Sequence, residues 1–270
     1  MTSKGIPIPL VIAIAGIAGL LVGSFLNVVI YRAPLGLSLS SPRSFCPSCR
    51  RQLTWWENIP VISWIGLRGH CRTCGQSISV RYPLVELSTG ISFALVAWAW
   101  HGTAVSVGYC CLSATLIAIS LIEYGGKRAP LSVAAVGAGL GQISIMVAAS
   151  WQHHWRITFG SLTGTVVALL IFSLLRVTDP ECSDPRGFGR SAVIVAGCWM
   201  GGLGLRPAVV GVVTWIVAYF LSMVIARKLA GPAARSDDPT GASLEAHPVL
   251  AAPLVTALLL ALAASLIVGG

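Results

Sequence analysis

Long apolar runs alternate with short polar gaps along this chain, at 7–31, 84–101, 104–123, 129–150, 157–176, 191–205, 207–226 and 248–268. A helix needs about 20 apolar residues to cross a hydrocarbon layer of about 30 Å. Most of these runs reach that length; 191–205 is the shortest and is rich in glycine. The pattern predicts an all-α, polytopic membrane protein of about eight transmembrane helices. No small-residue cleavage site leading into a polar chain follows the first run, so a permanent helix is expected there and not a signal peptide.

Composition agrees. Hydrophobic residues make up 55% of the 270 residues and charged residues only 10%, where soluble domains carry about 25%. Such a chain cannot cover a water-facing surface. Lysine and arginine are distributed unevenly. With the N-terminus outside, 15 of the 18 fall in inner segments, leaving Lys4, Arg156 and Arg206 outside. This positive-inside bias predicts an N-terminus outside and the 32–83 segment in the cytoplasm. The net charge of +9 then reads as a topology signal plus attraction to anionic membrane lipids, and not as a nucleic-acid surface. The spans lack the paired intramembrane charges and broken repeats of a transport pathway. No glycine-rich phosphate loop, S-adenosylmethionine fingerprint or internal repeat is present.

The one sizeable extramembrane piece, 32–83, carries Cys46-Pro-Ser-Cys49 and Cys71-Arg-Thr-Cys74, with 21 residues between the two pairs. Each Cys-x-x-Cys forms a tight turn that points two sulfurs at one place, and two such turns suit tetrahedral Zn²⁺. Two disulfides and unliganded thiols are the competing readings, but a cytoplasmic location keeps thiols reduced and favours metal. Four cysteines would close the coordination shell, making the zinc structural in a segment with little core of its own. His70, beside Cys71, is read as a solvated loop residue in preference to a substitute ligand. Cys110, Cys111 and Cys198 read as small apolar packing residues within spans, and Cys182 as a free thiol in an inner loop.

Around these cysteines stands a longer series: Gly23-Ser-Phe-Leu-Asn-Val-Val-Ile-Tyr-Arg32, then Trp55-Trp56-Glu57-Asn58-Ile59-Pro60 and Ser63-Trp64, then Ser79-Val-Arg-Tyr-Pro-Leu-Val-Glu86-Leu87. The series resembles the type IV prepilin leader peptidases, bifunctional membrane enzymes that cleave prepilin leaders and N-methylate the new terminus. The resemblance is dense over 20–90 and continues beyond as loop placement and scattered residues. It divides the chain into a first transmembrane helix (1–31), a cytoplasmic four-cysteine segment (32–83) and a helical peptidase-like domain (84–270). Gly23 and Ser24 are small residues suited to close helix approach, and Asn27 is a polar residue on a buried face. Glu86 falls near the start of the second span, where a carboxylate needs a partner; Arg81 or Arg32 is the expected one.

The resemblance implies an aspartic peptidase with two aspartates at the cytoplasmic ends of helices. One carboxyl acts as base on the attacking water while the other supplies a proton, and sharing a site drives their pKa values apart. The family's first aspartate lies seven positions ahead of a proline; here Glu123 holds that place before Pro130. The second belongs to a Gly-x-Gly-Asp motif with a lysine two residues on; here Gly187-Phe188-Gly189-Arg190 puts an arginine in its place and Ala192 in the lysine's. Arginine stays protonated and beside Glu123 would hold that carboxylate charged. The expectation is an ion pair between Glu123 and Arg190, with Asp184, in the same inner loop, as a weak substitute acid. Asp179, Glu181 and Asp184 otherwise read as a hydrated loop balancing Arg176 and Arg186.

The resemblance implies prepilin or pseudopilin leaders as partners, S-adenosylmethionine as a methyl donor and the bacterial inner membrane as location. Arg190 raises two alternatives: a non-cleaving, prepilin-binding relative, and a methyltransferase-only enzyme. Ser150-Trp-Gln-His153-His154-Trp155 reads as an outer loop with interfacial aromatics, and Pro232–Pro248 as a flexible cytoplasmic loop.

Overall fold

The computed structural model describes residues 5–125, 127 and 129–151, with scattered positions from 157 to 170. Among them the chain is helical and has no strand, only two isolated bridges. Helix α1 spans Ile8–Arg32, the short α2 Ile62–Gly66, α3 Arg81–Ala99, α4 Val105–Tyr124 and α5 Leu131–Trp151. All but α2 are long and apolar enough to cross a membrane. They match the first four apolar runs of the sequence to within a few residues. The four later runs lie outside the described residues.

Prolines set several boundaries. Pro7 precedes α1, Pro83 sits in the first turn of α3 and Pro130 precedes α5, positions where the missing N–H costs no helical bond. Helix α1 packs chiefly on α3, and α4 on α5. In lipid, burial of apolar surface does not drive helices together, so close backbone approach must. The α1 stripe Gly16, Gly19 and Gly23 provides it. A Cβ at Gly19 would lie 2.7 Å from Thr89 O, and one at Gly23 2.7 Å from Glu86 Cα. The α4–α5 contact repeats the device: a Cβ at Gly141 would lie 2.6 Å from the Leu112 side chain, and one at Gly137 would collide with Thr115. Gly23 thus has the packing role its size suggests.

Several buried hydroxyls are satisfied within their own helices. Thr89 donates to Val85 O at 2.8 Å, Ser113 to Tyr109 O at 2.9 Å and Thr115 to Cys111 O at 2.7 Å. Such back-bonding keeps polar atoms paired where no water is at hand. Two apolar clusters fill the interior: Val96, Val105, Tyr109, Leu112 and Ile145 in one, Leu26, Val85, Phe93, Ile117 and Ile122 in the other. Cys110 and Cys111 are half-buried in α4, as expected of packing residues.

Candidate metal centre and its membrane junction

The four-cysteine segment is built from two copies of one turn. In the first, Cys46 N–H donates to Arg51 O at 2.9 Å and Arg50 N–H to Cys46 O at 2.8 Å. In the second, Cys71 N–H donates to Gln76 O at 2.8 Å and Gly75 N–H to Cys71 O at 2.9 Å. The bridges Phe45 to Gln52 and His70 to Ser77 close the two turns identically. Both need a left-handed residue four places after the first cysteine. Gly75 adopts it freely at φ 70°, and Arg50 takes φ 56° against the usual preference.

These turns bring the sulfurs of Cys46, Cys49, Cys71 and Cys74 within 4.8 Å of one another. Cys46 Sγ and Cys74 Sγ are 3.7 Å apart and the cysteines are free, far beyond the S–S bond of about 2.05 Å. Zn–S bonds of about 2.3 Å would set a tetrahedral S···S edge of about 3.8 Å. The donor set therefore fits a tetrahedral metal and not the two-disulfide reading. Electrostatics points the same way. Backbone N–H groups of Cys74 and Thr73 draw the Cys71 thiol down to about 6, and that of Cys49 lowers Cys46. Although the Gln76 N–H favours its thiolate, Cys74 is pushed up to about 11 by burial and by a proton shared with the neighbouring sulfurs. Four such sulfurs cannot all ionise without a cation between them. His70 is exposed, its Nδ1 2.6 Å from Arg68 O, and stands outside the sulfur cluster.

Beneath the sulfurs lies an ion pair that the sequence reading overlooked. Glu57 is buried and takes two bonds from Arg51, Nη2 to Oε1 at 2.6 Å and Nη1 to Oε2 at 3.0 Å. Thr54 adds its N–H at 2.8 Å and its hydroxyl at 2.7 Å, a capping box on the 3₁₀ turn Trp55–Asn58. The Thr54-x-x-Glu57 spacing is the legible signal for it. Arg51 also lies close enough to the Cys71 sulfur to act on it electrostatically, which places the Glu57 pair beside the four-cysteine cluster. Chiefly through Arg51, the Glu57 carboxyl falls from 4.5 to about 2. A depressed carboxylate stabilises the fold above its unfolded value, and that contribution disappears as pH falls through the folded value. Glu57→Gln is expected to be less stable than wild type near neutrality. The gap in thermal midpoint between the two proteins should close as pH drops from 4.5 toward 2.

The segment is fastened to the spans at a second place. Val61 sits at φ 62° and ψ −50°, and Ile62 N–H donates to Pro60 O at 2.6 Å, a γ-turn of the rare, strained kind. The turn aims the Val61 N–H at Glu86 of α3, at 2.8 Å, with Ser24 of α1 near enough to favour the charged carboxylate. This corrects the expectation of an arginine partner. Arg32 instead folds back to donate to Ser38 O at 3.0 Å and Pro42 O at 2.8 Å, and Arg81 lies over the Tyr82 ring, 5.9 Å from its centroid. The α3 backbone is also bound by Asn27, whose Nδ2 donates to Tyr82 O at 3.2 Å. Glu86→Leu leaves the Val61 N–H without an acceptor, an expected loss of about 1–3 kcal/mol. Glu86→Gln, which keeps an oxygen in place, should recover much of it in detergent unfolding.

Glu123 occupies the last turn of α4. The following loop returns to the end of α1, where Lys127 Nζ stands 5.8 Å from the Tyr31 ring centroid. Glu123 is therefore at the same end of the helices as the cysteine segment. Arg190 and Asp184 lie outside the described residues, as do Cys182, Cys198, His153 and His154.

Residues 17–100 match the family model described as the bacterial peptidase A24 N-terminal domain. A prepilin leader peptidase/N-methyltransferase of Myxococcus xanthus is 34% identical over 247 residues, covering 86% of this chain and 70% of the relative. The chain belongs to this family. The Escherichia coli type 4 prepilin-like proteins leader peptide-processing enzyme is 33% identical over 216 residues, 71% of this chain and 78% of the relative. A Neisseria gonorrhoeae prepilin leader peptidase/N-methyltransferase is 37% identical over 157 residues, and the match spans only 55% of that protein. No solved structure matches the chain. Family membership and the helices together make it a multi-pass membrane protein.

Proposed function

We propose that this chain receives the leader of a type IV prepilin or type II pseudopilin at the cytoplasmic face of the bacterial inner membrane. Its N-terminus lies outside, and it is organised as a first helix (1–31), a cysteine segment (32–83) and a peptidase-like domain (84–270). The observation that carries this reading is the arrangement at one end of the helices: the four-sulfur centre, its fastening to α1 and α3, and the Glu123 end of α4. Zn²⁺ held by Cys46, Cys49, Cys71 and Cys74 is structural, since four thiolates leave no coordination position for water. The reaction expected of the family is leader hydrolysis followed by N-methylation, with S-adenosylmethionine supplying the methyl group.

One observation favours a second reading, that the chain binds prepilin and does not cut it. Hydrolysis by two carboxyls needs one group able to take a proton and another able to give one. Arg190 in the second position does neither. We assign it instead to a pair with Glu123, in which a bidentate guanidinium keeps the carboxylate charged; Asp184 is the nearest substitute acid in the sequence.

The test is prepilin incubated with the purified protein in detergent and read by mass spectrometry, with and without S-adenosylmethionine. The expected outcome is an intact leader with wild type and partial cleavage with Arg190→Asp. A mass gain of one methyl on pre-cut pilin would assign methylation alone. Efficient wild-type cleavage that depends on Glu123 would overturn the Glu123–Arg190 pair and establish the peptidase.

A further inference from the structure

The strained turn at Val61 fixes the depth of the residues that follow it. Glu86 lies five residues into α3, which begins at Arg81, about 7–8 Å along the helix axis at 1.5 Å per residue. Because the Val61 N–H touches this carboxylate, α2 sits beside the first turns of α3, at the level where the apolar run of 84–101 begins. Ile62 and Ile65 share one face of α2 by their spacing, and they are 69% and 62% exposed. Large apolar side chains left uncovered at that depth face the boundary between headgroups and acyl chains. The flanking charge suits such a surface: Arg68 and Arg72 follow α2, both exposed, with Arg72 lying over Trp56 at 5.2 Å. Trp55, just before the turn, is 80% exposed, and tryptophan favours the same interfacial layer.

We propose that α2 is an interfacial anchor, with Ile62 and Ile65 inserted among lipid acyl chains beside α3 and Arg68 and Arg72 on the phosphates of anionic phospholipid. The cysteine segment is then a membrane-seated platform held at both of its ends and near its middle. This inference rests on the chain being a multi-pass membrane protein and is independent of whether it cuts prepilin.

Photo-cross-linking of the full-length protein in nanodiscs of phosphatidylcholine and phosphatidylglycerol tests it. A benzophenone amino acid would replace Ile65, with Ile17 on the exposed face of α1 as the lipid-facing control and Gln76 in the second cysteine turn as the water-facing one. Equal metal content across the three proteins shows that the segment is folded. The expected result is phospholipid adducts at Ile65 in yield comparable to Ile17 and severalfold above Gln76. Phosphatidylglycerol should be over-represented in those adducts, and Arg68→Glu should abolish that preference. Adducts at Ile65 to another part of the chain, to a second copy or to added prepilin, in place of lipid, would overturn the anchor, as would none at all. Lipid adducts indifferent to headgroup and to Arg68→Glu would overturn the anionic-lipid assignment.

Discussion

Replacing Cys71 by alanine is expected to empty the metal site and unfold the cysteine segment while leaving the spans helical. The segment between Arg32 and Arg81 holds three short helical turns and two isolated bridges. It buries little apart from Cys46, Glu57, Pro60, Gly69 and Cys71. A structural zinc contributes about 10–16 kcal/mol to the folding of small domains, more than such a segment can recover from its own contacts. Metal analysis should show one ion per wild-type chain and none in Cys71→Ala. Brief trypsin treatment should then cut at Arg43, Arg50, Arg51 or Arg72, sites protected in the metal-bound protein. A Cys71→Ala protein that stays protected would show that Arg51–Glu57 and Val61–Glu86 suffice alone. Chelation of wild type should reproduce the variant, separating loss of metal from loss of the side chain.

The second large effect is expected at Gly23. The Cβ of any other residue there would stand 2.7 Å from Glu86 Cα and 3.1 Å from the Thr89 side chain, and the first of these is backbone that cannot swing aside. Overpacking a tight contact ordinarily costs about 1–3 kcal/mol. Gly23→Leu should exceed that range, because pushing α3 away at Glu86 also loosens that residue's grip on Val61. Gly139, with nothing within 4 Å, provides the contrast. Gly139→Ala should be neutral or stabilise by about 0.5–1 kcal/mol, since alanine is the better helix former. Thermal unfolding in detergent distinguishes the two. The Gly23→Leu protein should also lose its metal more readily if the junction holds the cysteine segment in place.

What the sequence disclosed and what it hid divide along physical lines. The four described spans were legible because an apolar run of bilayer length has few other uses, and proline marks the starts of three of them. The four-sulfur cluster was legible because Cys-x-x-Cys dictates its own turn, and each turn recurs with the same hydrogen bonds. The partner of Glu86 was hidden because it is a backbone N–H 25 residues away, presented by a γ-turn that the β-branched Val61 disfavours. Charge pairing suggested Arg32, which spends its donors on carbonyls within ten residues. The Arg51–Glu57 pair lay between these cases: the capping box was readable from Thr54 and Glu57, whereas the position of Arg51 followed only from the first cysteine turn.

The repeated turn also gives the four sulfurs unequal access. In each copy the first cysteine, Cys46 or Cys71, is buried, and the second, Cys49 or Cys74, is exposed. Peroxide or a thiol-seeking electrophile arriving from the water side therefore meets Cys49 and Cys74 first. Oxidative damage would begin by detaching one outer ligand from either half of the knot, with the inner pair still in place to recapture metal once the outer thiol is reduced.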